Sequence, residues 1–364
     1  VQATPEQVTM ILKQLSEAIG VSGKEDAVRA LILPEIADHA GEIRIDPLGG
    51  ISAVKPGTGA SPLRLMIAAH MDEIGFMVQA IDGDGLIRVA AIGGIDERIL
   101  PGLRVRLGAS GVQGVFVWVP IHKNRDDNTV KLSALRIDIG ASSKEEAAGK
   151  VSPGDVGTFD SAFMEVGGRV LRGKAFDDRA GCALLIDVLK NADGQPYPVD
   201  VLAAFTVQEE IGLRGARVAA QRLKPDLALI LETTTAHDVP DAAADIDDEP
   251  ADRNPTCRLG GGPVLSFMDS SMITHPRLFA FLKETAQAAG VPFQYKTQLG
   301  GGTDGGAVHV ANAGIPTAVI SLPARYIHSP AAYLHRDDYD AALALVRAFI
   351  HRLPTFTLHQ ETSA

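Results

Sequence analysis

The chain has 364 residues, 46% of them hydrophobic, enough for one large domain or two ordinary ones. Its net charge of −11, with no run of Lys and Arg to reverse it locally, argues against a nucleic-acid backbone or an anionic membrane as partner. Two cysteines, Cys182 and Cys257, are too few for a disulfide framework and fit a reducing, cytoplasmic compartment. No apolar run approaches the roughly 18 residues of a membrane span, and VQATPEQVTM has neither region of a secretory leader.

TPEQVTMILKQLSEAIG predicts a capped amphipathic helix, with Thr4 at the N-cap, Pro5 in the first turn, Gln7 at a capping-box position and Gly20 as the stop. A second helix is expected over Glu25 to His39, with Pro34 as a kink, and EIRIDPLGGISAVKPG reads as a hairpin turning at Gly49-Gly50. RLMIAAHMD, Arg64 to Asp72, is an apolar strand ending in His70 and Asp72.

From Glu73 to Val166 the texture changes to short alternating β runs separated by Gly, Pro and Asp, with SSKEEAAGK the one helical stretch. This is a small β-rich module, 73–166, inserted into a domain made of 1–72 and 167–364. In the second part, helices over Arg179 to Lys190, Arg214 to Arg222, His275 to Ala289 and Asp338 to Arg352 alternate with strands at Val199 to Val207, Leu227 to Leu231 and Ile315 to Ser321. Such alternation implies an α/β fold with a mixed, largely parallel sheet flanked by helices. Asp238 to Gly262 is acidic and reads as a surface loop.

In open α/β sheets, ligands bind beyond the carboxyl ends of the strands. There the chain offers His70 and Asp72, then Glu209 and Glu210 in VQEEIG, then Glu232; Asp177 and Asp178 stand at a loop-to-helix junction, and His328 follows the last strand. Massed carboxylates repel one another and are costly to desolvate unless cations join them. Imidazole with carboxylate suits Zn²⁺, with Co²⁺ or Mn²⁺ as alternatives, and the excess of carboxylates points to two ions sharing a bridge, able to activate a water and polarise a carbonyl. One Glu of the adjacent pair can then bind metal while the other acts as general base. Asp238 competes with Glu232, and His335 with His328, as ligand on its segment.

AAHMDEIGF, GKAFDDRAGC, QEEIGLRGA, LETTTAHDVP, GGTDGGAV and RYIHSP, in this order, resemble the M42 family of metalloaminopeptidases. The resemblance implies that His70 and Glu232 bind the first metal, Glu210 and His328 the second, and that Asp177 bridges them. It implies that Asp72 orients His70, that Asp178 supports its loop, and that Glu209 is the general base. GGTDGGAV, with Gly301, Thr303 and Asp304, would lie near the substrate, a peptide with a free N-terminus. The inserted module would make dimer contacts, and dimers would build a homo-oligomer of up to twelve subunits.

Two other readings stay open on the residues. A di-metal deacylase or carboxypeptidase-like enzyme needs a cation for a substrate carboxylate, and Arg325 near His328 is the candidate. A catalytically silent metal-binding assembly would bind metal without turnover, although it has no need of a base at Glu209.

Overall fold

A computed structural model describes residues 5–119, 122–123, 130–192, 194–239 and 257–358. Helices α1 (Pro5–Glu17) and α2 (Asp26–Ile36) lead into strands β1 (Gly41–Ile45), β2 (Ile51–Lys55) and β3 (Arg64–His70). Next come β4 (Gly75–Ile81), β5 (Ile87–Ile92), β6 (Arg104–Leu107), β7 (Val112–Phe116), β8 (Ile137–Asp138), α3 (Lys144–Ala148) and β9 (Val156–Phe159). β10 (Met164–Val166) and β11 (Val170–Gly173) precede α4 (Phe176–Lys190), β12 (Asp200–Thr206), α5 (Arg214–Leu223) and β13 (Leu227–Thr235). The chain continues through β14 (Val264–Ser266), α6 (Pro276–Ala288), β15 (Gln294–Tyr295), α7 (Gly305–Val308), β16 (Thr317–Arg325), β17 (Ala332–His335) and α8 (Arg336–Arg352).

The large sheet runs β1-β2-β12-β3-β13-β16-β17-β11-β10, with β14 added to β16 and β15 to β14. Its centre, β12-β3-β13-β16, is parallel, so those strands end on one side; Thr206 lies in register with His70, and Ser321 with Glu232. Alternation along each strand sorts the core into two layers. Leu65, Ile67, Val201, Ala203, Phe205, Leu229 and Leu231 pack with residues of α1, α2, α4, α6 and α8, while Met66, Ala68, Leu202, Ala204, Ala228 and Ile230 pack with those of α5 and α7. Both faces are covered, which is why these strands read as unbroken apolar runs.

Strands β4-β5-β8-β7-β6-β9 close into a barrel, which leaves no free strand edge. Phe76 sits at its centre, with ring centroids 5.0 Å from Phe116 and 5.8 Å from Phe159. Glu73 joins barrel and sheet. This buried carboxylate accepts hydrogen bonds from Lys174 Nζ (2.7 and 2.8 Å) and from Thr158 Oγ1 (2.7 Å). Arg179, fully buried beside it, donates to the carbonyls of Leu15, Met71 and Gly20.

Several element ends differ from expectation. β13 and β16 run on to Thr235 and Arg325 because the two tails pair with each other residue by residue, so Glu232 lies within its strand rather than just after it. β10 falls inside 73–166 yet hydrogen-bonds to β11 in the large sheet. α2 stops at Ile36 and carries Pro34 internally. The hairpin turns where expected, with Gly49 at φ +101° and the Asp46 carboxylate accepting the N–H groups of Leu48 and Gly50. Thr4 lies outside the described residues, as does most of the acidic 238–262 loop; of the described residues that flank the gap, Asp238 is half-buried and Cys257 is buried. Both cysteines are free, and no helix among the described residues is long and apolar enough to cross a membrane.

Candidate active site

His70 closes β3 and is 2% exposed. Its Nε2 lies 3.2 Å from Asp177 Oδ1 and 3.4 Å from Glu232 Oε1, while its Nδ1 faces Asp72, 3.1 Å from the carbonyl and 3.4 Å from Oδ1. On the other side, His328 Nε2 lies 3.3 Å from Asp177 Oδ2 and 3.2 Å from Glu210 Oε1. The two oxygens of Asp177 thus face two different His–Glu pairs. Asp177 stands where α4 is interrupted at its start, Asp177 and Asp178 having non-helical backbone angles; the peptide bond between them is cis.

Asp72 does more than orient a ring. Its fully buried carboxylate accepts from Ser22 Oγ (2.6 Å) and from the backbone N–H groups of Glu209 (3.0 Å) and Glu210 (3.2 Å). One side chain therefore sets both the His70 imidazole and the backbone that carries the adjacent glutamates. Burial works against its charge, but the bonds from His70, Ser22 and Glu209 outweigh that and hold its pKa below the ordinary value. Asp178 uses both oxygens on backbone N–H groups, Oδ2 on His70 and Oδ1 on Gly181, each at 3.1 Å. A Cβ at Gly181 would sit 2.3 Å from Asp178 Oδ1, so only glycine fits beneath it. His70, Asp178 and Glu232 come close enough together to hold an ion, as do His70, Asp177 and Glu210. The two backbone bonds mark Asp178 as a support and leave Asp177 as the carboxylate between the histidines.

The electrostatics describe a site short of positive charge. Burial pushes the Glu232 carboxyl up to about 8 and raises Glu209 well above the ordinary carboxylate value, with like charge from Glu232, Asp304 and Glu210 adding to it. Glu210 is raised too, again mainly by burial. Burial opposes charge on His328, yet Asp177 and Glu210 lift it to about 11. Glu232 Oε2 is buried with no hydrogen-bond partner among the described residues. An orphaned carboxylate oxygen, an imidazole on either side and a carboxylate facing both form a donor set that fits two divalent cations.

The site opens into a cavity of about 600 Å³ lined by Asp177, Glu209, Glu210, Glu232 and His328 together with Gly301 and Thr303. Two expected substrate contacts lie elsewhere. Arg325 is not among the lining residues; it points to Asp238, with Nε 2.6 Å from Oδ1 and Nη2 2.8 Å from Oδ2. This pair also removes Asp238 as a rival of Glu232. Asp304 lies beneath the cavity wall, 1% exposed, and accepts from Thr206 Oγ1; burial raises its carboxyl to about 6. His335, the rival of His328, caps α8, its Nδ1 accepting from the Asp337 N–H.

Four contributors were not expected from sequence. Gly94, in the barrel, offers its carbonyl 3.0 Å from His328 Nδ1 and so fixes which ring nitrogen faces the carboxylates. Gly93-Gly94 breaks an alternating run, a sign of a turn or bulge but not of a site. Ser22 and Glu25 reach in from before α2, Glu25 accepting the Gln208 N–H at 3.2 Å. Lys296 lines the cavity from a loop with no motif around it.

A mixed sheet whose parallel centre gathers two histidines and several carboxylates at the ends of its strands, above an open cavity, is the architecture of a metal-dependent hydrolase. The chain belongs to the M42 glutamyl aminopeptidase family, whose model matches residues 49–345, and it is a hydrolase of the exopeptidase kind. It is 33% identical to the glutamyl aminopeptidase of Lactococcus lactis over 94% of this chain and 96% of that one. It is 32% identical to the lysyl aminopeptidase of Pyrococcus furiosus, again over 94% and 96%. Among solved structures it resembles a TET aminopeptidase from a marine sediment archaeon of the Thaumarchaeota, with TM-score 0.89 and 36% identity over 96% of this chain and 97% of that one. It also resembles a Pyrococcus horikoshii TET peptidase that can assemble into a tetrahedron or a large octahedral shell, with TM-score 0.82 and 31% identity over 94% and 99%.

Proposed function

We propose that the protein is a di-metal aminopeptidase that releases N-terminal residues from peptides, with Glu209 as general base. The observation that carries this reading is the placement of Asp177, one oxygen toward His70 and the other toward His328, at the floor of the cavity that Glu209 also lines. His70, Glu232 and Asp177 would hold one divalent cation, and Glu210, His328 and Asp177 the other, with Zn²⁺ foremost and Co²⁺ or Mn²⁺ as alternatives. Bound there, the ions would activate a water and polarise the scissile carbonyl.

The chain's own groups do the rest. Glu209 takes the proton of the attacking water on its carboxylate and returns it to the leaving amine. Its backbone N–H is held by Asp72, which fixes the residue at the edge of the cavity it lines. The free α-amine of the substrate seats among the carboxylates at the cavity floor, which restricts cleavage to the N-terminus. The deacylase reading loses its expected carboxylate anchor, since Arg325 is engaged by Asp238.

For the assembly, exposed Val115, Val117, Trp118 and Val119 on and after β7 support a subunit contact through the barrel module, and the shell-forming relative supports building from dimers toward a closed particle of up to twelve subunits. Mass measurement in solution decides between dimer and shell.

The test of the reaction is Glu209→Gln in metal-loaded protein, assayed on amino-acid p-nitroanilides and on their N-acetylated forms. The wild type should cleave only the free amines. The variant should lose at least about 10³-fold in kcat and still bind metal. An active variant, or cleavage of acetylated compounds alone, would overturn the reading.

A further inference from the structure

We propose that Lys296 makes this site select peptides whose N-terminal residue is acidic, a refinement that rests on the aminopeptidase reading above. The two curated relatives differ in their named preference, glutamyl in one and lysyl in the other, so similarity does not choose between them.

Lys296 and the metal-site histidine His328 are the cationic side chains among the described residues that line the cavity; no Arg and no other Lys among them lines it. Lys296 is 8% exposed, and it has no ion pair or side-chain hydrogen bond among the described residues. A lysine this buried normally has a carboxylate for company. Two described acidic groups that, like Lys296, act on the Cys257 thiol are already engaged. Asp238 is held by Arg325, and Asp338 accepts the N–H groups of Gly260 (2.7 Å) and Gly262 (2.7 Å). Lys296 thus lines, without a described partner, the same cavity that Asp177, Glu209, Glu210 and Glu232 line.

Its place in the fold gives the distance. Lys296 follows β15, and its N–H donates to the Leu265 carbonyl of β14. β15 lies beyond β14 and β16 from β13, which carries Glu232. Three strand spacings put its backbone about 14 Å from β13. The four-carbon stem spans part of that gap, leaving room for one residue with its amine at the acidic floor and its side chain toward the lysine. Thr233, Thr235, Gln298 and Ser271 line the cavity between these ends. Thr235 and Gln298 offer a hydroxyl and an amide donor that suit a carboxylate, whereas the Thr233 and Ser271 hydroxyls already donate to the Phe176 carbonyl and to Asp269. An acidic side chain would supply the missing counter-charge, whereas a lysyl side chain would meet like charge in a desolvated pocket.

The experiment compares kcat/KM of the metal-loaded wild type and Lys296→Met on glutamyl, aspartyl, leucyl and lysyl p-nitroanilides and on N-acetyl-glutamyl p-nitroanilide. The wild type should prefer glutamyl and aspartyl. In the variant the glutamyl-to-leucyl ratio should fall by about tenfold to a hundredfold, mainly through KM. Lys296→Glu should move the preference toward lysyl. In a separate binding readout, free L-glutamate should raise Tm of the wild type more than that of Lys296→Met.

A wild type that prefers leucyl or lysyl, or a variant that loses glutamyl and leucyl cleavage equally, would overturn the proposal while leaving the aminopeptidase reading intact. Cleavage of the acetylated compound alone would mean that Lys296 serves an N-acyl substrate and would sink both. Absence of turnover on every compound by the metal-loaded wild type would likewise sink both.

Discussion

At the carboxyl edge of the large sheet, Asp72, Asp177, Asp178, Glu209, Glu210 and Glu232 crowd against two histidines, whereas the barrel is filled by Phe76, Phe116, Phe159 and aliphatic side chains. The edge spends hydrogen bonds from Ser22, Gly181 and the Glu209–Glu210 backbone on holding those carboxylates in place. Burying unpaired charge is costly, so such an arrangement persists only where cations or function require it. The barrel follows ordinary packing physics and gives the site one backbone carbonyl, that of Gly94. The difference separates what the two regions can tolerate. Changes at the edge should abolish chemistry in a folded protein, and changes in the barrel should cost stability first.

The largest effect is expected from Asp177→Asn, which weakens both ligand sets at once: kcat/KM should fall by at least about 10³-fold while circular dichroism stays native. Phe116→Ala removes a ring that is wholly buried against Phe76 and should destabilise the protein by about 3–5 kcal/mol in denaturant titration. Activity per folded molecule should change little. If it fell in step with stability, the barrel would hold the site by more than the Gly94 carbonyl, and the contrast between the regions would fail. Asp72→Ala should cost about 10- to 100-fold in activity, because His70 loses its orienting partner and the Glu209 N–H its acceptor. An effect on metal affinity with none on kcat would confine Asp72 to the histidine.

The junction between the regions gives the smallest signal. Burial pulls the Lys174 amine from 10.5 down to about 8 despite its pairing with Glu73. Between those values the unfolded chain holds a proton that the folded chain has released, so this group makes stability rise with pH across about pH 8 to 10.5, by at most roughly 1.4 kcal/mol per pH unit. Chemical denaturation of the wild type against Lys174→Met through that window should show the slope in the wild type alone. Equal slopes would place the proton elsewhere.

Much of the edge was legible in the sequence. His70, Glu209, Glu210, Glu232 and His328 each follow or end an apolar run and Asp177 stands at a loop-to-helix junction, and a sheet with a parallel centre brings such ends together, which the structure does. The alternation of helices and strands was readable for the same reason, since both faces of the sheet are covered and the strands carry unbroken apolar runs. What escaped depends on pairing across long sequence distances. The tails Thr233–Thr235 and Leu322–Ala324 continue their strands because each pairs with the other residue by residue. Arg325 looked free until Asp238, 87 residues earlier, was found to hold it. Gly94 and Lys296 reach the site from short or irregular segments with no local periodicity to single them out.

The central claim is that Asp177 joins two cation sites at the floor of one cavity. The most direct measurement is calorimetric titration of chelator-stripped protein with Zn²⁺, with bound metal counted by elemental analysis, for the wild type and Asp177→Asn. The account predicts two ions per subunit in the wild type and loss or marked weakening of both in the variant. One ion per subunit in the wild type, or two tight ions in the variant, would contradict it.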